Sequence, residues 1–311
     1  MQRITCPERD DWRITADETG FDFHTIDDER YWDERAYYAF TLDEIERRIE
    51  EPTGEIDAMC LELVARAIDD ESYLHRLKIP EAFWPLIAES WYRDEASLNG
   101  RLDFCFDGHG PAKLLEYNAD TPTSIFEAAV FQWKWLEQAI ERRIIPSHAD
   151  QFNSIHERLI EAWKKLGEGR HLHLAGVTEN AEDAGTLAYL EDTARQAGLA
   201  TTLIDIEDIG CRDGGCFVDL DDRAIELAFK LYPWEWMFHE RLARSLSKRR
   251  HAGSNRHGRP SFPTRAFFRC CGKCFRITPI CCLLFSRMIR TRRGSAPPLC
   301  ASQFIRAKAP T

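Results

Sequence analysis

The chain has no uncharged run long enough to cross a bilayer as a helix. Its most apolar tract, residues 277–285, stops at nine residues, where about 20 are needed. The N-terminus has nothing of a secretory leader, because residues 6–27 are charged throughout, and a cytoplasmic protein with free thiols is the expectation. G-x-G-x-x-G and G-K-[ST] are both absent, so neither a Rossmann cofactor site nor a P-loop nucleotide site is supported. No internal repeat and no Gly/Ser linker divides residues 1–240, and residues 241–311 contain no Asp or Glu at all.

That last absence marks a change of composition. The whole chain has 311 residues, of which 44% are hydrophobic, as in soluble globular proteins. Its net charge of −11 hides a front part at −28, holding all 52 acidic residues, and a back part at +17. Six of the eleven cysteines (Cys270, Cys271, Cys274, Cys281, Cys282 and Cys300) also lie in the back part.

The front part reads as mixed α/β. Thr41 suits the N-cap of a helix over residues 42–49, with Asp43 and Glu44 in its first turn. Gly54 and Glu55 open a second apolar-periodic stretch with Ile56, Met59, Leu61, Val64 and Ile68. Ile79-Pro80 breaks the pattern before a helix whose Phe83, Trp84, Ile87 and Trp91 are expected in the core. Residues 124–144 have helical spacing, with Phe126, Val130, Trp133, Leu136 and Ile140 on one stripe. Residues 171–177 read as a buried strand, 182–197 as a helix and 200–206 as the next strand, a βαβ unit. Cys211 and Cys216 flank a hairpin turn at Asp213-Gly214-Gly215. His171 and His173 alternate on their strand and could meet a metal, but they are expected to be satisfied structurally.

Chemistry concentrates in residues 101–124, RLDFCFDGHGPAKLLEYNADTPTS. The tetrad Asp107-Gly108-His109-Gly110 between two alternating runs predicts a β-hairpin. Pairing Phe106 with Pro111 sets Asp103 opposite Leu114 and Arg101 opposite Glu116. With side chains alternating, Arg101, Asp103, Glu116 and Asn118 then share one face. Carboxylate and amide oxygens are the ligands magnesium or manganese takes, and a guanidinium beside them would hold an anion such as phosphate. The competing reading is an exposed face of paired charges, and a one-residue slip would scatter the four side chains.

Four segments carry a resemblance: RLDF, KLLEYNADTPTSIFEA, FQWKWLE at 131–137 and KLYPWEWM at 230–237. Together with the opening CPERDDWRITADETGFDFHTIDDERYWDERAYYAFT, they resemble the stand-alone, synthetase-type members of the glutathionylspermidine synthase family, nearly continuously from residue 6 to about 240. The resemblance implies an α/β fold: a pre-ATP-grasp-like region plus a partial ATP-grasp domain over 1–240, with a mixed sheet and flanking helices; the tail over 241–311, by its composition, is expected to be irregular and disordered. It implies an ATP- and magnesium-dependent C–N ligase joining a glutathione-like acid to a polyamine-like amine such as spermidine. By position, Asp103, Glu116 and Asn118 would bind Mg, Arg101 would stabilise the transferring phosphoryl group, and Thr121, Thr123 and Ser124 would contact the acid. Glu182 would serve the amine side. Turn chemistry around Asp120 and Pro122 is the other account of the hydroxyls, and a helix's first turn the other account of Glu182.

Three readings compete for the tail. Basic residues with interspersed Phe could bind nucleic acid. Cys270, Cys271, Cys274 and the later pair could hold zinc, although the paired C-x-x-C spacing of familiar sites is missing. The favoured reading is translation out of frame: residues 271–283, CGKCFRITPICCL, can be encoded by bases that in another frame read LWEMFPNHPNLLP, similar to the family's own continuation. The frame would change between residues 240 and 265. The lysine-bearing strand and glycine-containing phosphate loop that usually complete this ATP-grasp domain do not occur in the tail, which implies impaired catalysis or a remnant that only binds metal and peptide.

Overall fold

A computed structural model describes residues 1–167, 169–212 and 216–239, together with the backbone of residues 304–307. In chain order the elements begin with β1 (Gln2–Thr5), α1 (Trp12–Thr19), β2 (Thr25–Ile26), β3 (Glu29–Arg30), β4 (Ala36–Thr41), α2 (Leu42–Ile45) and α3 (Glu51–Asp69). Then come α4 (Ser72–Arg76), α5 (Trp84–Tyr92), β5 (Arg101–Cys105), β6 (Lys113–Asn118), α6 (Gln132–Glu141), β7 (Ala149–Asp150) and α7 (Ile155–Gly167). The parallel unit follows as β8 (Leu172–Gly176), α8 (Ala181–Gln196) and β9 (Thr201–Asp205). The remainder is β10 (Gly210–Cys211), β11 (Phe217–Val218), β12 (Leu227–Leu231), α9 (Trp234–Met237) and β13 (Phe304–Ala307). The protein is a mixed α/β fold.

Thr41 caps α2 as expected. Its Oγ1 accepts from the Glu44 N–H at 3.2 Å, and the Glu44 carboxylate accepts from the Thr41 N–H at 2.9 Å, a reciprocal box. The expected break near Gly54 is absent. Helical structure runs from Leu42 through a π segment, Glu46–Glu50, into α3, and Gly54 lies inside it. Pro52, which has no N–H to give the preceding turn, follows directly on these wider turns. A second π segment, Glu127–Phe131, precedes α6. Its extra residue shifts the helix phase, so Phe131, Trp135, Leu136 and Ala139 are buried while Trp133, expected on the apolar stripe, faces outward.

The parallel sheet, in the order β12-β8-β9, organises the core. Strand residues alternate between its faces. Leu172, Leu174, Leu227, Phe229 and Leu231 join the core that contains Phe131 and Trp135 of the α6 region, Trp163 of α7 and Leu190 of α8. Ala175 and Ala228 face the other core, with Val64 of α3, Leu74 of α4, Ile87 of α5 and Trp234 of α9. Both faces are covered, which is why β8 and β12 are buried throughout. A second sheet has the order β1-β4-β13-β7, with β13 parallel to β4 and antiparallel to β7.

Residues 304–307 of the tail form β13, whose backbone pairs with β4 in a ladder. The rest of 240–311, and with it the zinc, nucleic-acid and frame-change readings, lies outside the described residues. Among the described residues no helix is long and apolar enough to cross a membrane.

Candidate functional site

β5 and β6 form the expected antiparallel hairpin in a different register. Arg101 stands opposite Asn118 and Asp103 opposite Glu116, rather than Arg101 opposite Glu116 and Asp103 opposite Leu114. Two local features explain the difference. The connection runs over residues 106–112, with Gly108 and Gly110 at φ 83° and 69° and the His109 N–H donating to Asp107 Oδ1 at 2.8 Å. Pairing therefore resumes at Cys105 and Lys113, one position out of step with a tetrad turn. That slip alone would split the four side chains between two faces. A bulge between Phe104↔Leu114 and Asp103↔Glu116 adds a second step and restores the common face. At the strand's entry the sheet is tight: a Cβ on Gly100 would lie 2.9 Å from the Tyr117 ring.

On that face Arg101 grips Asp103 with two bonds, Nε to Oδ1 at 2.8 Å and Nη2 to Oδ2 at 3.0 Å. Nη2 also lies 3.6 Å from Glu116 Oε1, which accepts from Asn118 Nδ2 at 2.7 Å. Nη1 reaches across to Thr123, donating to its Oγ1 at 3.1 Å and its carbonyl at 3.4 Å. Burial works against the Arg101 charge, but Asp103, Glu116 and Glu182 outweigh it and raise the guanidinium's pKa. Two carboxylates and an amide oxygen are a suitable hard donor set, and each Asp103 oxygen keeps a lone pair beyond its bond to Arg101. The set therefore fits a divalent cation. Among the described residues no three His, Cys, Asp or Glu side chains could hold a metal together.

Beyond β6 the chain turns inward at Asp120, whose carboxylate accepts from Lys230 Nζ and, at 2.9 Å, from the Trp234 N–H at the start of α9. Lys230 Nζ also donates to the Tyr232 carbonyl at 2.7 Å and lies 4.6 Å from the Trp234 ring centroid. Burial pushes the Asp120 carboxyl up, against the pull of Lys230 and the Trp234 N–H. This pin carries Thr121 and Thr123 into an open pocket lined also by Val177, Asp183, Tyr232 and Trp236. The pocket sits beyond the carboxyl ends of β8 and β12, where open parallel sheets bind their ligands.

Ser124 turns the other way. Its backbone is left-handed at φ 62°, and its Oγ is 3.3 Å from the Tyr31 hydroxyl, which also donates to Glu127 Oε1 at 2.5 Å. Glu127 is buried, and burial together with the Glu182 charge raises its carboxyl against the pull of Tyr31 and Arg101. Glu182, in the first turn of α8, acts on Arg101, Glu127 and Asp183 through its charge. The structure thus joins Arg101, Asp103, Glu116, Asn118 and Thr123 directly, lines the pocket with Thr121, and points Ser124 elsewhere.

Sequence reasoning did not single out Tyr31, Glu127, Asp183, Lys230 or Trp236. For two of these a signal exists: Glu127 is the lone charge in IFEAAVF and Lys230 the lone charge in the strand LAFKL. The histidines are held within the protein, His173 by Asp219 at 3.0 Å and His171 by Thr202 at 2.7 Å. Cys211 ends β10 and Cys216 precedes β11 in an antiparallel hairpin, and residues 213–215 between them, where the turn is expected, lie outside the described residues.

The family described as glutathionylspermidine synthase preATP-grasp matches residues 3–256. The chain is 41% identical over 256 residues to a protein of Haemophilus influenzae named for acid–amine ligase activity, covering 79% of this chain and 63% of that one. It is 27% identical over 208 residues to the bifunctional glutathionylspermidine synthetase/amidase of Escherichia coli, covering 65% of this chain and 32% of that one. With the trypanothione synthetase of Crithidia fasciculata it shares 27% identity over 178 residues, covering 56% of this chain and 27% of that one. The chain therefore spans less than two thirds of the length of each of these relatives. A solved glutathione synthetase-like effector of Globodera pallida is a more distant likeness, at 12% identity and a TM-score of 0.44 over 75% of this chain and 61% of that one.

Proposed function

Because this chain belongs to the glutathionylspermidine synthase family, we propose that residues 101–124, with the carboxyl ends of β8 and β12 and the start of α8, form the acid-binding half of an ATP- and magnesium-dependent acid–amine ligase. In this reaction the γ-phosphoryl group of ATP passes to a carboxylate oxygen of a glutathione-like peptide, and ADP leaves. A polyamine-like amine then attacks the acyl carbon, the carbon–oxygen bond to phosphate breaks, and the nitrogen gives up a proton.

The observation that carries the reading is the reach of Arg101, which binds Asp103 on the hairpin face and Thr123 on the pocket wall. A guanidinium so placed can hold the phosphoryl group where the metal-binding acids and the peptide meet. Thr121 and Thr123 would hold the peptide, with Ser124 behind them against Tyr31 rather than in the pocket, and the Glu182 charge would favour an ammonium. Asp103, Glu116 and Asn118 would hold magnesium, which supplies charge neutralisation for the nucleotide phosphates when bound.

The test is ADP release and amide formation by the 311-residue chain supplied with MgATP, glutathione and spermidine. ADP release is expected to require both the acid and magnesium, and Arg101→Ala should lower it roughly a hundred- to a thousandfold. A chain that binds neither glutathione nor magnesium would sink the reading. A second reading, a protein that binds acid and metal without turnover, is favoured by the change of composition after residue 240, where Asp and Glu disappear. Calorimetric binding of glutathione without ADP release would select it.

A further inference from the structure

Glu127 raises a question that the ligase reading leaves open. It is 4% exposed, it lies in the π segment Glu127–Phe131, and one carboxyl oxygen, Oε2, has no hydrogen-bond partner among the described residues. Burying a half-satisfied carboxyl is costly, and an apolar side chain of similar size would fill the same space without that cost. The bond it does make is therefore the one to explain, and its donor is Tyr31, from the segment after β3.

Tyr31 is itself partly exposed, with its ring edge-on to Phe21 at 6.5 Å. Its hydroxyl meets Glu127 at 2.5 Å and Ser124 at 3.3 Å. Ser124 has the left-handed backbone that a residue with a Cβ adopts at a cost of about 1–2 kcal/mol, so something must hold it there. Its neighbour Thr123 is held by Arg101, through both side chain and carbonyl. Two successive residues of the loop are thus held, one by Arg101 and one by Tyr31.

We propose that Tyr31 and Glu127 are positioning residues: Glu127 orients the Tyr31 hydroxyl, Tyr31 fixes Ser124, and the hydroxyl of the adjoining Thr123 is thereby held on the pocket wall facing the acid substrate. The clamp itself stands on the geometry, while the identity of the substrate rests on the ligase reading.

The experiment uses the full chain with Tyr31→Phe, Glu127→Ala, Glu127→Gln and the Tyr31→Phe/Glu127→Ala double variant. Calorimetry with glutathione in the presence of magnesium chloride is paired with hydrogen exchange of residues 121–126. Tyr31→Phe and Glu127→Ala should each weaken glutathione binding about tenfold and speed exchange in that segment. Glu127→Gln, which keeps an acceptor for Tyr31, should stay within about threefold of wild type. The double variant should be no worse than either single change, because residues acting through one chain of contacts are not additive. Wild-type affinity and exchange in both single variants would overturn the proposal, as would a lowered melting temperature with wild-type affinity, or additive losses in the double variant. A wild-type chain that binds no glutathione removes the ligase reading, and the exchange results then decide the clamp alone.

Discussion

Asp183 has its carboxyl pushed up to about 6, first by burial and then by the charge of Glu182 beside it. The helix end would favour a negative charge there, so burial and the neighbouring acid outweigh it. An unfolded aspartate titrates near 3.8, so between that pH and about 6 the folded protein binds more protons than the unfolded chain. Stability therefore falls as pH rises through this window, and the penalty is complete above it. Asp183→Asn should raise the melting temperature at pH 7.5 and change it little at pH 4, which thermal melts at the two pH values would check. At this scale much of the site was legible. Arg101, Asp103, Glu116 and Asn118 came together despite an incorrect register because the error amounted to two positions, and strands preserve facing under even shifts. Tyr31 was not legible, since nothing in the local sequence says that a residue after β3 will meet Ser124.

The elements were readable where the signal was local. The Thr41 box, the break at Ile79-Pro80 and the β8-α8-β9 unit each follow from spacing and capping chemistry. The two π segments were not, because one extra residue in a turn leaves no mark in a period of 3.6. The packing of α8 depends on Gly185, where an added Cβ would lie 2.3 Å from the ring of Phe23, itself 2% exposed. Gly185→Ala should cost about 1–3 kcal/mol by overpacking, although alanine is the better helix former. Urea unfolding would read the difference, and a more stable variant would show that the ring can move aside.

Across the whole molecule, the parallel sheet separates two cores and supports the pocket at its carboxyl ends. The buried Asp120–Lys230 pair ties the loop after β6 to β12, with the two residues 3% and 2% exposed. Replacing Lys230 by Met would strand the carboxylate and should cost about 3–5 kcal/mol, measured by chemical unfolding. Adding Asp120→Asn should restore part of that loss. The long-range arrangement was the least legible level: β12 was quoted only within a motif, and the ladder joining β4 to β13 pairs residues 266 positions apart, beyond any local pattern.

The Asp120–Lys230 pair also orders events in time. During synthesis, residues 101–124 leave the ribosome more than a hundred positions ahead of Lys230. Until β12 is made, Asp120 has neither its ammonium nor the Trp234 amide, and an isolated carboxylate is better left in water than buried. The hairpin can form early, but its loop has reason to stay outside until the last strand of the parallel sheet arrives. The pocket is therefore expected to close late in folding, after translation has passed residue 234.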